Sequence, residues 1–192
     1  MVQTANDILI AVKNFADRAH GDQVRKFTGE RYIGHPVRVM ELVLEFNNDI
    51  AVLAAALLHD VLEDTAVTPQ ELLSFLSTVL PEQEAERSLA IVKELTDVYI
   101  KRDYPSLNRS ARKTRETERL VTVSADAQTI KYADIIDNVT DIATQETDFA
   151  HVYIQEARAM VRGMDKGDVR MRERAFHAIE QSLARLRDHA RS

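Results

Sequence analysis

The chain has 192 residues, of which 45% are hydrophobic, 29% charged and 6% aromatic, with neither Cys nor Trp. That length and aliphatic content suit one well-buried core and argue against disorder, while the lack of Cys excludes a disulfide scaffold, thiolate metal ligands, iron–sulfur clusters and a Cys nucleophile. Lys and Arg number 25 against 31 Asp and Glu, a formal net charge of −6, so nucleic acid and anionic membranes are poor partners and any polyanionic ligand must meet a local basic patch or a bound cation.

The opening MVQTANDILI has neither a basic n-region nor a long apolar h-region, and no later segment approaches the ~20 apolar residues of a membrane span. A cytoplasmic location is therefore expected. Ile8, Leu9, Val12, Phe15, Ala16 and Ala19 recur at helical spacing and predict a first helix that ends at His20-Gly21. Residues 21–34 hold three glycines, Gly21, Gly29 and Gly34, and read as irregular. His35-Pro36 opens a second helix with the stripe Val39, Leu42, Val43 and Phe46, which Asn47-Asn48 breaks. Asp49 then caps a third, in which Ile50, Leu53, Ala54, Leu57, Leu58 and Val61 fit the i, i+3, i+4, i+7 pattern.

Thr68-Pro69-Gln70-Glu71 has capping-box spacing and starts a helix through Leu72, Phe75, Leu76 and Val79 that Pro81 stops. Further helices are predicted over 82–95, 106–124, 126–143, 149–163 and 169–190, with an irregular stretch at 96–105. The last carries Met171, Ala175, Ile179, Leu183 and Leu186 on one stripe, which serves core packing and leaves self-association as a homo-oligomer open. No internal repeat or linker-like segment interrupts the chain. The expectation is a single all-α domain over 1–192, a multi-helix bundle of about eight to ten helices.

The chemistry concentrates in ALLHDVLEDT. Four ionisable residues, His59, Asp60, Glu63 and Asp64, interrupt the end of an apolar helix; on one continuous helix, His59 and Glu63 lie about 40° apart, as do Asp60 and Asp64, so all four share a side. Removing carboxylates from water costs several kcal/mol each by rough estimate, which a divalent cation offsets. A second candidate is TIKYADIIDNVTDI, where Ile130, Asp134, Asn138 and Asp141 lie near one face and Asp134 is set deepest among apolar neighbours. Taken singly these features have plainer readings: an exposed helix end, a hydrogen-bonded core histidine, a polar stripe, and for His35 a helix cap. Taken together, His35, His59, Asp60 and Asp134 form a mixed nitrogen and oxygen set that suits Mn²⁺, Fe²⁺ or Zn²⁺ better than Ca²⁺.

The order His35, His59-Asp60, Glu63-Asp64, then Asp134 in a Lys-x-x-Asp-x-x-x-Asn context, resembles the HD-domain hydrolases of the RelA/SpoT family, and most of all the small stand-alone alarmone hydrolases. The likeness runs from about Asp7 to Thr144 and includes FADRAH, RYIGHPV, AALLHDVLEDT and KYADIIDN, with the helices of 149–190 beyond it. It implies an HD-domain bundle with a manganese-dependent activity of the stringent response: removal of the 3′-pyrophosphate of (p)ppGpp to give GDP or GTP. It also implies that His35, His59, Asp60 and Asp134 hold the metal, that Glu63 and Asp64 serve the attacking water, and that Arg18, Lys26 and Asn138 lie around the nucleotide. Unlike the long bifunctional relatives, this chain has Ile135 after Asp134 and Val139 after Asn138 rather than basic residues nearby, and no strand pattern for a synthetase. Hydrolysis without synthesis is the implied activity.

The residues agree with that chemistry. A divalent cation lowers the pKa of water and neutralises charge on phosphoryl oxygens, and Glu63, one turn beyond His59, is placed to act as general base with Asp64 in support. Two basic groups answer the charge problem: Arg18, His20, Arg25 and Lys26 around the first irregular segment, and Lys101, Arg102, Arg109, Arg112, Lys113 and Arg115 near the second. Interleaved Asp103, Glu116 and Glu118 make a solvated surface an equal reading of the second group. The rival functions are an HD-type phosphohydrolase acting on the 2′-phosphate of NADPH, a nucleoside monophosphate or a dNTP; a non-catalytic alarmone-binding module; and a plain helical scaffold.

Overall fold

Helices begin where the sequence supplies side-chain acceptors for orphan N–H groups. The Thr4 hydroxyl accepts from Asp7 N at 3.2 Å, while the Asp7 carboxylate accepts from Thr4 N at 3.1 Å, closing a capping box at the start of α1 (Ala5–His20). Gly21, at φ +56°, ends it. The computed structural model describes residues 4–144 and 148–189. Its helices continue as α2 (Gly34–Leu44), α3 (Ile50–Leu58), α4 (Val61–Asp64), α5 (Pro69–Val79), α6 (Glu82–Leu95), α7 (Arg109–Thr122), α8 (Ala125–Ile142), α9 (Asp148–Gly163) and α10 (Val169–His189). Ten helices among the described residues bear out the all-α expectation, and the only β pairing there is an isolated antiparallel bridge between Val24 and Arg31. Ala190, predicted to close the last helix, lies outside the described residues.

The chain divides into two compact units, one up to Thr96 and one from Asp97. In the first, Asp49 caps α3 as predicted, accepting from Ala51 N at 2.9 Å and pairing with Arg87 at 2.7 Å. Every residue of α3 from Ala51 to Leu58 is buried, because α1, α2 and α6 all pack on it. A helix apolar on all sides belongs at the centre of its unit, and burying Leu57 and Leu58 contributes roughly 1.5–3 kcal/mol apiece. The Thr68 capping box and Pro69 start α5 as the sequence predicts.

One expectation changes. The apolar pattern runs unbroken to Val61, yet α3 stops at Leu58 and the helix restarts only at Val61. His59 supplies the physical reason: its Nδ1 lies 2.8 Å from the Ala56 carbonyl oxygen, the acceptor an unbroken helix would use for the Asp60 N–H. Asp60 then sits at φ −97°, ψ −7° and starts α4, accepting from Asp64 N at 2.9 Å. His59-Asp60 thus forms a corner between two helices, and the angles expected for one continuous helix do not apply.

In the second unit α8 packs against α9 and α10, and α7 against α9. The start of α8 is tied to the α9–α10 connection. Gln128 donates to Leu120 O at 3.0 Å and accepts from Lys166 N at 2.7 Å, Tyr132 donates to Met164 O at 2.9 Å, and Thr129 accepts from Asp168 N at 2.9 Å. Gly167 fits because it has no side chain: a Cβ there would stand 2.6 Å from the Tyr132 ring and 2.9 Å from Thr129 N. Burial pushes the Tyr132 phenol up to about 12.

Candidate metal centre

Three side chains of the first unit converge on one oxygen. Tyr32 Oη donates to Asp60 Oδ2 at 2.6 Å, His59 Nε2 lies 3.0 Å from the same oxygen and His35 Nε2 3.5 Å. His35 sits next to Pro36 in the first turn of α2, and His59 and Asp60 form the break between α3 and α4. The imidazoles of His35 and His59 meet edge to face with centroids 5.1 Å apart. Both rings are almost fully buried, whereas Asp60 keeps about a fifth of its side chain exposed, at 21%.

The tautomer of His59 gives this arrangement its meaning. With Nδ1–H donated to Ala56 O, the neutral ring turns the Nε2 lone pair toward a carboxylate oxygen that has only lone pairs to offer. A shared proton or cation resolves that juxtaposition, and tying the remote ring nitrogen to a backbone carbonyl is the usual way a metal-binding histidine is oriented. Burial pushes the Asp60 carboxyl up, but when the His59 and His35 imidazoles are protonated and donate to it, their charge outweighs burial and holds it well below the usual carboxylate range; a proton or a cation between these groups is what stabilises the carboxylate. His35, His59 and, in the second unit, Asp134 are each buried, and each offers one atom of a type that holds a metal ion.

Glu63 and Asp64 lie on α4 with exposed side chains. Asp64 accepts from Gln23 Nε2 at 3.2 Å, and Gln23 Oε1 faces His20 Nδ1 at 2.9 Å. Of the predicted nucleotide contacts in this unit, Arg18 stands exposed in the last turn of α1, and Lys26 is exposed in the turn after it, its Nζ 5.3 Å from the Phe27 ring centroid.

In the second unit α8 places Asp134 and Asn138 one turn apart. Asn138 Nδ2 donates to Asp134 Oδ1 at 2.5 Å, while Lys131 Nζ pairs with Oδ2 at 2.8 Å. Burial pulls the Lys131 ammonium down, but the carboxylates of Asp134 and Asp97 outweigh it and hold it well above the usual range. The basic group near the second irregular segment is largely engaged by its own unit: Arg102 pairs with Asp103, Arg109 with Glu156 and Lys113 with Asp97, Arg112 donates to Leu107 O, and Arg115 lies over the Tyr99 ring.

Sequence reasoning assigns no role to Tyr32 or Gln23, and takes Lys131 only as part of the Lys-x-x-Asp-x-x-x-Asn context of Asp134. The signals were present. Tyr32 precedes His35 by one turn of chain, and Lys131 precedes Asp134 by three helical positions, a spacing at which side chains meet.

Residues 12–160 match the HD domain family. The chain belongs to that family. It is 32% identical over 182 residues to guanosine-3′,5′-bis(diphosphate) 3′-pyrophosphohydrolase MESH1 of Homo sapiens, covering 90% of this chain and 93% of the relative. It is 28% identical over 144 residues to a probable guanosine-3′,5′-bis(diphosphate) 3′-pyrophosphohydrolase of Mycoplasma pneumoniae, but spans only 17% of that longer protein. A solved structure, of a metazoan ortholog of SpoT that hydrolyzes ppGpp, matches with a TM-score of 0.75 at 25% identity, covering 91% of this chain and 94% of that one. The HD-family expectation thus holds. No helix among the described residues is long and apolar enough to cross a membrane.

Proposed function

We propose that the protein is a metal-dependent hydrolase that removes the 3′-pyrophosphate of (p)ppGpp, releasing pyrophosphate with GDP or GTP. The convergence of His35, His59 and Tyr32 on Asp60 Oδ2, with His59 tied back to Ala56 O, carries this reading. It presents donors suited to a cation in a family whose named relatives act on guanosine-3′,5′-bis(diphosphate).

In this reading His35, His59, Asp60 and Asp134 hold one divalent cation, and the whole chain acts as a single HD-type domain. Nitrogen and oxygen donors in this ratio fit Mn²⁺. When bound, the cation supplies Lewis acidity, lowering the pKa of water and neutralising charge that develops on phosphoryl oxygens. Tyr32 holds the orientation of Asp60. Glu63, exposed and one turn past the corner, takes the proton of the attacking water, and Asp64, held by Gln23, supports it. Arg18 and Lys26 bring positive charge to a substrate of high negative charge, which an acidic chain otherwise repels, and Asn138 lies near the nucleotide while bracing Asp134. A cytoplasmic location accords with this substrate.

The test is a Mn²⁺-dependent substrate panel with product identification: ppGpp, pppGpp, NADPH, a nucleoside monophosphate and a dNTP. Release of pyrophosphate from ppGpp or pppGpp is expected. Orthophosphate alone, or turnover of another compound alone, overturns the substrate assignment; an alarmone bound tightly yet intact in the presence of metal points to a binding module.

A further inference from the structure

Asp134 is gripped at both ends. Lys131 Nζ lies 2.8 Å from Oδ2 and Asn138 Nδ2 2.5 Å from Oδ1, all on α8. Both partners of the ion pair are largely withdrawn from solvent, at 18% side-chain exposure for Lys131 and 7% for Asp134. A carboxylate with no donors rotates about its terminal bond; one with a donor on each oxygen is held against that rotation, and a carboxylate oxygen can accept from more than one partner. The Asp97 carboxylate, paired at 2.9 Å with the α7 residue Lys113, adds its charge to that of Asp134 in favouring the Lys131 ammonium. Largely withdrawn from solvent and facing a carboxylate that Asn138 also holds, the ammonium is part of a built arrangement rather than a surface cation that happens to reach an acid.

We propose that Lys131 is a positioning residue for Asp134: with Asn138, it fixes the carboxylate plane so that this ligand meets the cation already oriented. The inference rests on the reading of Asp134 as a metal ligand. It makes a prediction opposite in sign to simple electrostatics. A lysine acting only as a nearby positive charge repels a divalent cation, so its removal would tighten binding. A lysine that orients the ligand strengthens binding, and losing such a partner typically weakens metal affinity by about 10–100-fold.

The experiment is a Mn²⁺ titration, followed by calorimetry, of the full chain as wild type, Lys131→Met and Lys131→Arg, with thermal melts of each protein free of metal. Lys131→Met is expected to bind Mn²⁺ at least about tenfold more weakly, and Lys131→Arg, which restores a cationic donor, to recover most of the loss. Unchanged or tighter binding by Lys131→Met overturns the proposal, as does equal weakening in both variants. If Lys131→Met does not fold, Lys131→Gln takes its place under the same criteria. Failure of the wild type to bind any divalent cation overturns the metal reading itself, an outcome distinct from a wild type that binds and a variant that binds equally well.

Discussion

The phenol of Tyr32 and the carboxylate of Asp60, 28 residues apart in sequence, meet through a 2.6 Å hydrogen bond on the oxygen that both buried imidazoles face. Tyr32 therefore sets how Asp60 is presented. Tyr32→Phe keeps the ring but deletes the donor, and should lower Mn²⁺ affinity on the order of tenfold with little change in melting temperature. Calorimetric titration checks this; unchanged affinity would show that the two imidazoles suffice to orient Asp60.

Removing Asp60 should have a larger effect. Asp60→Ala deprives the site of the carboxylate at which His35, His59 and Tyr32 converge, and elemental analysis of the purified variant should find its metal content lost. Wild-type levels of metal in Asp60→Ala would mean that the convergence serves packing alone.

Glu63 is separable from the ligands because its side chain is exposed beyond the corner. Glu63→Gln should retain bound metal while turnover falls by about 10²–10⁴-fold, the usual contribution of a general base. Full turnover with metal retained would remove Glu63 from that role.

Gly167→Ala probes the brace at the start of α8. The new methyl would meet the Tyr132 ring at 2.6 Å and Thr129 N at 2.9 Å, an overpacking that should cost about 1–3 kcal/mol. Denaturant unfolding measures it, and a neutral effect would mean that the α9–α10 connection shifts freely.

Tyr132 gives a pH signature. Its folded value of about 12 stands above the ordinary phenol value of 10.0, because burial disfavours the phenolate. A raised value means that the neutral form is favoured in the fold, so this contribution to stability is complete below about pH 10 and is lost as pH rises toward about 12. Ultraviolet difference titration of wild type against Tyr132→Phe should find one phenol ionising in that upper window.

The readable parts of the fold were those with a local cause. Capping side chains at Thr68 and Asp49 and the helical spacing of apolar residues place α5, α6 and the start of α3 close to their predicted limits. The corner at His59-Asp60 was hidden because Val61 continues the apolar pattern, and only the contact of His59 with the Ala56 carbonyl decides against it. At the site, His59 and Asp60 stand out as costly polar groups in an apolar helix, whereas His35, which alone reads as a helix cap, joins them only when the motifs are taken together. Their helpers did not: Gln23 reaches Asp64 across 41 residues, a contact that no spacing rule encodes. The arginines and lysines after residue 100 read equally as a phosphate-binding or a solvated surface in sequence, and in the structure Arg102, Arg109 and Lys113 each meet a carboxylate of their own unit.

The division at Thr96 bears on how the protein comes to exist. His35, His59, Asp60 and Tyr32 all belong to the stretch that precedes it, together with the buried α3 and the helices packed around it. Domains emerging from the ribosome gain structure from the N-terminal side onward. Three of the four proposed donors therefore belong to a segment synthesised before the codon for Asp134 is read, so under the proposed reading the full ligand set exists only once part of the second unit has been made.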